Sequence, residues 1–415
     1  MFNKIIKTLC LILFISTSII AQENVKIMSY NLLNYPQGSN LAERNSYFKI
    51  IMDEVQPDIL VAQEIQSGAA KYYFIDDVLG NKYNVSSFID GPYSDNLVYF
   101  KDSLFQFVSN KAIKTTLRDI NEFRLVHKIT LDTLLIYSVH LKASQGSEEE
   151  ARRLAEVKEL RKVTDLLSED ANYIICGDFN FYSASELAFQ ELLDQSNSGY
   201  VLDPIDQIGN WHDNSSYQQY HTQSPRTTQF GGGSHGGMDD RFDFILVSQA
   251  LMDNGGIDYI EDSYLAYGND SNHFNLAINA GTNSAVPDSV ANALHGASDH
   301  LPVIAEFLFD GTTAVGLEDE AAIINSYQLK QNYPNPFNPE TTIEYNISVG
   351  NGHARSVQLT IYDVLGNQVA NLVNEVKNPG KYKVTWNAEN LSSGIYIYQL
   401  RSGVFFDSKK MILLK

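Results

Sequence analysis

Residues 173–182 read YIICGDFNFY, a stretch in which an apolar run passes directly into a polar turn. The apolar residues predict a buried strand, and Asp178 and Asn180 mark the place where that strand ends. A GDFN tetrapeptide by itself is an ordinary turn, because aspartate and asparagine side chains readily hydrogen-bond their own backbone. Its meaning therefore depends on whether other strands of the chain end in the same way.

Polar residues stand at the ends of several other predicted strands. They are Asn31 after VKIMSY, Glu64 after ILVAQ, His140 after LLIYSV, Asp243 inside RFDFILVS, and Asp299 with His300 before LPVIAEF. A lone histidine after a strand is usually a surface or structural residue, but so many sites of this kind are hard to attribute to chance. We therefore predict that these side chains lie near sheet ends and form one site.

The residue types at these positions suit one kind of chemistry. Carboxylates in a chain with only two cysteines favour a hard divalent cation, Mg²⁺ or alternatively Mn²⁺ or Ca²⁺. Histidines beside carboxylates orient or move protons, and asparagine amides position a water or a phosphate oxygen. The set predicts metal-assisted hydrolysis of a phosphate ester. The sequence contains neither a Walker loop nor a nucleophile elbow, so NTPase and serine-hydrolase functions lack support.

Charge is distributed unevenly along the 415 residues. Residues 23–310 carry 19 basic and 41 acidic residues, a net charge of −22, whereas residues 311–415 carry nine of each. This balance excludes a protein that coats nucleic acid through a cationic surface. It is compatible with an acidic enzyme that meets a polyanion through bound cations. Cys10 lies in a segment that we expect to be removed, so Cys176 has no disulfide partner.

The pattern divides the chain into four segments. Residues 1–21 predict a signal peptide, because Lys4 and Lys7 precede a short apolar run that ends at Ala21. Residues 22–310 mix helices with consecutive strands, which favours mixed sheets over one doubly wound parallel sheet. Residues 311–326 predict a linker, and residues 327–415 predict a small all-β sandwich of short strands and turns. No other long apolar run occurs, so we expect no stable membrane insertion.

Six motifs of the 22–310 segment occur in the order found in a known group of enzymes. They are SYNLLNY, LVAQEIQ, SVHLKAS, CGDFNFY, RFDFILVS and SDHLPV. The segment resembles the endonuclease/exonuclease/phosphatase superfamily, which includes pancreatic-type deoxyribonuclease, apurinic endonucleases, inositol-phosphate phosphatases and neutral sphingomyelinases. The resemblance implies an α/β fold, a four-layer sandwich of two mixed β-sheets flanked by helices, with the site at the sheet edge.

The resemblance also implies a metal centre and a phosphate contact. Asn31 and Glu64 would belong to the metal centre, with Glu64 as the main carboxylate ligand, and Asp299 would complete the metal or phosphate shell. Arg124, in FRLVHKI, falls where family members often place an arginine that binds phosphate. The alternative for Arg124 is an ordinary arginine at a strand edge.

Five further residues would carry the reaction. His140 would contact the scissile phosphate or act as acid, Asp178 would orient or activate the attacking water, and Asn180 would hold that water or a phosphate oxygen. Asp243 would pair with His300, fix its tautomer, and help it act as base or as phosphate stabiliser. The assignment of acid and base between the two histidines stays open.

The C-terminal segment resembles a different family. YPNPFNPETTIEY, LTIYDVLGNQV, SSGIYIYQL and KKMILLK are similar to the type A sorting domain of the type IX secretion system, which belongs to the Bacteroidetes lineage. The resemblance implies that the secretion machinery is a partner and that the protein is extracellular or on the cell surface. An adhesive or carbohydrate-binding sandwich is the alternative.

The combined prediction is a secreted metal-dependent phosphoesterase, an extracellular endonuclease that contacts the DNA or RNA backbone without sequence specificity. We expect it to be a monomer. The alternatives are a sphingomyelinase-like or other phosphate-ester hydrolase and a catalytically inactive binding protein, although intact site residues argue against the second.

Residues 196–240 form a long connection between the GDFN and RFDF motifs. They contain His212, His221, Arg226 and His235. This connection is either a substrate loop over the site or a surface excursion, and a zinc site built from its three histidines lacks the usual ligand spacing.

Overall fold

The structure is a computed structural model that describes residues 22–37, 40–253, 256–311, 328–347, 355–377, 380–402 and 405–415. These residues fall into two compact units, one within residues 1–315 and one within residues 316–415. The predicted signal peptide and almost all of the predicted linker lie outside the described residues. The boundaries of the four predicted segments therefore stay a prediction.

The first unit combines strands with helices. Its strands are β1 (Glu23–Tyr35), β2 (Ile59–Ile65), β3 (Tyr83–Val85), β4 (Asp95–Lys101), β5 (Phe105–Ile113), β6 (Ile120–His127), β7 (Thr133–His140), β8 (Tyr173–Asp178), β9 (Asp243–Val247), β10 (Ile257–Tyr259), β11 (Leu265–Ala266) and β12 (Val303–Phe309). Its α-helices are α1 (Leu41–Val55), α2 (Ala70–Phe74), α3 (Ser147–Thr164), α4 (Leu187–Leu193) and α5 (Asp288–Ala297).

Both sheets of this unit are mixed. The first has the strand order β10-β12-β1-β2-β4-β3, with β11 also paired to β12, and the second has the order β5-β6-β7-β8-β9. Within them β1 pairs with β2 and β7 with β8 in parallel, and the other pairs are antiparallel. Antiparallel neighbours need no helical crossover, which explains the consecutive strands seen in the sequence.

Three apolar clusters separate four layers. The first packs α1 and α5 against the first sheet and includes Phe48 and Leu294. The second fills the space between the sheets and includes Val61 and Phe123. The third packs α3 and α4 against the second sheet and includes Leu160. The predicted four-layer α/β sandwich is confirmed.

The second unit consists of strands. They are β13 (Gln328–Leu329), β14 (Glu340–Ile347), β15 (Arg355–Asp363), β16 (Gln368–Lys377), β17 (Gly380–Asn387), β18 (Gly394–Ser402) and β19 (Phe405–Leu413). They form two antiparallel sheets, β13-β14-β17 and β16-β15-β18-β19, around a core of their own. The predicted all-β unit is confirmed, and its Tyr396 and Tyr398 are buried in that core.

Within the described part of the chain, no helix has both the length and the apolar character that crossing a membrane requires.

Candidate active site

The polar residues at the strand ends of both sheets lie at one common edge. The parallel strands β7 and β8 end there in His140 and Asp178, which are direct partners in the sheet. The antiparallel strand β9 begins there with Asp243, the next partner of Asp178. In the first sheet, Asn31 pairs with the residue before Glu64. The topology therefore gathers residues from distant parts of the sequence.

Asn31 joins the two sheets at this edge. Its Nδ2 donates to Glu64 Oε1 and to Asp178 Oδ2, each at 3.1 Å, while its Oδ1 accepts from Leu33 N at 3.0 Å. The second oxygen of Glu64 accepts from Asn34 N at 2.8 Å. Glu64 has a φ of 61°, in the left-handed region that is uncommon for such residues. This unusual backbone at the end of β2 is of the kind found at functional sites.

His140 lies beside both carboxylates. Its Nε2 is 3.5 Å from Asp178 Oδ2 and 3.8 Å from Glu64 Oε1. Burial, with further contributions from the nearby Arg118 and His300, holds the pKa of His140 well below its usual value. In the protein as described, the His140 ring is therefore neutral near pH 7.

His300 lies between two carboxylates, one of which is hydrogen-bonded to it. Nδ1 lies 2.7 Å from Asp243 Oδ2, and Nε2 lies 3.5 Å from Asp178 Oδ2. Burial lowers the pKa of His300, but Asp243, Asp178 and Asp299 together raise it well above its usual value. The Gln223 side chain also reaches Nε2, at 2.7 Å. The oxygen and nitrogen of an amide are assigned from its hydrogen bonds. A protonated Nε2 therefore requires the amide oxygen of Gln223 to face it.

The donor set fits a divalent cation. Ligand atoms of Glu64, His140 and Asp178 all lie within 4.8 Å of one another. Burial raises the pKa of Asp178, as do the carboxylates of Asp243 and Glu64, because several negative charges share a space with little water. Among the residues of this predicted site, His140 Nδ1, Asp243 Oδ1 and Asp299 Oδ1 are buried and have no hydrogen-bond partner in the described structure. A cation would relieve the repulsion between these carboxylates.

Asn180 and Asp299 flank this cluster. Asn180 follows Asp178 in the turn, has a φ of 53°, and donates from Nδ2 to Leu141 O at 3.3 Å. Asp299 Oδ2 accepts from Ser234 N at 2.6 Å. A Cβ atom at Gly233 would lie 2.7 Å from the Asp299 carboxylate, which is too close for a side chain. The glycine therefore allows the 196–240 connection to pass next to Asp299.

Arg124 is not brought to the cluster. It pairs with Leu135 in the middle of β7, five residues before His140, which corresponds to about 16 Å along a strand. Arg118 is the arginine that lies beside the cluster. Its Nη1 donates to Leu141 O at 3.3 Å, and its charge acts on His140 and Asp178. Arg118 is not among the residues predicted from the sequence, because its place beside the cluster depends on the pairing of β6 with β7, for which the sequence around Arg118 carries no signal.

The 196–240 connection reaches the site, but its three histidines do not come together. His221 is fully buried, and both of its ring nitrogens contact backbone oxygens. His235 is exposed, and His212 contacts Asp240. Arg226 is buried and donates from Nη2 to the backbone oxygens of His295 and Ser298, which shortly precede His300. The connection thus combines a structural anchor with residues next to the site.

Sequence profiles of two families match the chain. The profile described as the endonuclease/exonuclease/phosphatase family matches residues 28–300, and the profile described as the secretion system C-terminal sorting domain matches residues 331–414. Both matches fall where the sequence motifs predicted them. No curated protein matches the chain.

Solved structures similar to this chain include the human Nocturnin catalytic domain with bound sulfate, at 18% identity and a TM-score of 0.45, covering 69% of this chain and 94% of that one. TDP2 from D. rerio, complexed with single-strand DNA product, has 18% identity and a TM-score of 0.45, covering 68% and 98%. An endonuclease/exonuclease/phosphatase family protein from Bacteroides thetaiotaomicron has 14% identity and a TM-score of 0.45, covering 72% and 100%.

Proposed function

The chain belongs to the endonuclease/exonuclease/phosphatase family, and from this premise we propose that it is a metal-dependent phosphodiesterase that hydrolyses extracellular nucleic acid. The observation that carries the proposal is the position of Asp178 Oδ2. This atom lies 3.1 Å from Asn31 Nδ2 and 3.5 Å from Nε2 of both His140 and His300. One carboxylate oxygen thus faces the groups that would orient water and contact phosphate.

The protein meets its substrate outside the cytoplasm. Its sorting domain indicates type IX secretion to the cell surface or the extracellular space.

Glu64 would be the main ligand of the cation, with Asn31 and Asp299 completing its shell. Asn31 presents its nitrogen to Glu64, so its oxygen would reach a cation only if the amide turns and gives up its hydrogen bond with Leu33 N. This shell of Glu64, Asn31 and Asp299 offers oxygen ligands only, which favours Mg²⁺, with Mn²⁺ and Ca²⁺ as alternatives. When bound, the cation would polarise the phosphoryl oxygen and offset the negative charge of the phosphate.

The side chains of the chain itself would orient the reactants. Asp178 would accept a proton from the attacking water, and Asn180 would hold that water. His300, fixed through Nδ1 by Asp243, would direct Nε2 at a phosphate oxygen. His140 would contact the same phosphate from the other side of Asp178. All five side chains lie at the common edge of the two sheets.

The charge of the first unit sets the conditions for nucleic-acid binding. Its excess of acidic residues repels a polyanion, but this repulsion is screened beyond about 10 Å at 0.1 M salt. Arg118 provides positive charge beside the cluster, and the bound cation adds more. We therefore propose weak contacts to the phosphate backbone, without base recognition.

The test compares two substrates. At equal concentrations of enzyme and Mg²⁺, we expect nicking of plasmid DNA and little hydrolysis of sphingomyelin, with Glu64→Gln as the inactive control. Sphingomyelin hydrolysis with intact plasmid at every salt concentration would replace the nuclease proposal with a phospholipid one. Cleavage of plasmid by Glu64→Gln at the normal rate would show that Glu64 is not part of the active site.

A further inference from the structure

A second group of potential metal ligands lies outside the Glu64 cluster. His212, Asp239 and Asp240 offer ligand atoms that all lie within 4.8 Å of one another. His212 Nδ1 is 2.7 Å from Asp240 Oδ1. Atoms that bind one zinc ion at bond lengths of about 2.0–2.2 Å are separated by no more than about 4 Å. Shifts of less than about 1 Å would therefore bring all three into one coordination shell.

This group has an excess of negative charge. Asp213 is a third carboxylate nearby, whose charge acts on both Asp239 and Asp240. No lysine or arginine forms an ion pair with these three carboxylates among the residues that the structure describes. The Asp239 carboxylate has no hydrogen-bond donor there other than its own backbone. The single imidazole of His212 does not balance this charge.

The surroundings of His212 also resemble those of a metal ligand. Its second ring nitrogen, Nε2, lies 2.8 Å from Nε2 of Gln145, and the Gln145 amide would turn on metal binding so that its oxygen accepts from this ring nitrogen. A histidine that binds metal through one nitrogen usually has its other nitrogen held by a polar group, which fixes the tautomer and the ring orientation. The Tyr182 ring packs edge-on against His212, with centroids 5.2 Å apart. The imidazole is thus oriented from two sides.

We propose that His212, Asp239 and Asp240 bind a second divalent cation, a transition metal ion such as Zn²⁺, beside the catalytic cluster and separate from it. One nitrogen and two carboxylate oxygens suit Zn²⁺ better than Mg²⁺ or Ca²⁺, which prefer oxygen ligands alone. Solvent can supply the fourth ligand, because the His212 side chain is 37% exposed.

The ligands of this cation contact residues that lie next to the active site. Asp240 exchanges backbone hydrogen bonds with Gln223, whose side chain contacts His300. Gln145, on the other side of His212, lies on the segment that follows His140. All three ligands belong to the 196–240 connection, as does Gln223, so a metal ion there would fix this connection beside Gln145 and next to the segments of His140 and His300. The site itself does not depend on the proposed phosphodiesterase function.

Zinc binding is measured on the full chain carrying Glu64→Gln and Asp178→Asn, which disable the first cluster. Equilibrium dialysis against ZnCl₂ with metal analysis should find one Zn²⁺ per chain. Adding His212→Ala should weaken binding at least about tenfold, whereas adding His235→Ala, at an exposed histidine of the same connection, should leave it unchanged.

Thermal unfolding supplies a second readout. Zn²⁺ should raise the unfolding temperature of the background chain and of the His235→Ala chain, because a ligand of the native state stabilises it, and should not raise that of the His212→Ala chain. The proposal is overturned if the background chain binds no Zn²⁺, or if it binds equally well with His212→Ala. If His212→Ala does not fold, Asp239→Asn takes its place, and the same outcomes decide.

Discussion

Asp178 shares a single oxygen among three neighbours. Oδ2 accepts from Asn31 and faces both His140 and His300, while Oδ1 accepts from the backbone of Asn180 at 3.1 Å. The carboxylate is therefore fixed in one orientation by residues from both sheets. Removing either histidine would leave the other contacts in place, so the two histidines can be tested separately.

His300→Ala and His140→Ala should each lower turnover by at least about 10², the usual range for loss of a group that moves protons. Both side chains lie at strand ends outside the three apolar clusters, so the fold should survive, as circular dichroism can verify. Steady-state kinetics on plasmid DNA supplies the measurement, with His235→Ala as the control. Near-normal turnover in either variant would show that its histidine has no part in the reaction.

Arg118 and Arg124 form a matched pair. Arg118→Ala should lower kcat/KM at least about tenfold, because its charge lies beside His140 and Asp178 and charge-assisted bonds to phosphate are strong. Arg124→Ala should change kcat/KM less than about threefold, since Arg124 pairs with Leu135 in mid-strand. The opposite ranking would favour the assignment made from the sequence motif.

Individual residues were predictable where they end a strand. Asn31, Glu64, His140 and Asp178 each follow an apolar run, and that signal is local. Arg118 was not predicted, because its proposed role depends on which strand end lies beside it. The local sequence does not indicate which strands pair.

At the scale of elements, a buried ion pair anchors the 196–240 connection. Arg241 donates two hydrogen bonds to Asp203, at 2.8 and 2.9 Å, and both side chains are almost fully buried. Burial lowers the pKa of Arg241, but Asp203 and Tyr264 raise it further, so the guanidinium stays charged. The ring of Phe244, on β9, lies 4.2 Å from the same guanidinium. The pair thus joins the connection to the strand that carries Asp243.

Asp203→Asn should lower the free energy of unfolding of the first unit by about 3–5 kcal/mol, because it leaves a buried charge without its partner. Urea unfolding followed by Trp211 fluorescence, in a Trp386→Phe background, reports on this unit alone. Asp53→Ala is the control, since its ion pair with Lys49 is exposed and should contribute little. A loss below about 1 kcal/mol in Asp203→Asn would contradict the anchoring role.

Elements were predictable from periodicity, and connections were not. Apolar runs located strands such as β8 and β12, and the lack of helices between β4, β5 and β6 indicated mixed sheets. The path of residues 196–240 depends on contacts such as Arg241 with Asp203, which join positions 38 residues apart. A long connection without regular periodicity carries no local signal for such contacts.

At the scale of the whole molecule, the two units have separate cores, so export and chemistry should be separable. Deleting residues 327–415 should leave an active enzyme that accumulates in the periplasm, because the deletion removes the sorting domain and spares the site. Fractionation of the native host, with the full chain as control, measures this. A truncated chain that reaches the medium as efficiently as the full chain would contradict it.

The most direct test of a metal-dependent phosphodiesterase is plasmid nicking by the full chain after chelation. The carboxylates of Glu64, Asp178 and Asp299 would repel a phosphate unless a cation lies between them. We therefore expect EDTA to abolish nicking and added Mg²⁺ to restore it. Full turnover after exhaustive chelation would contradict the account.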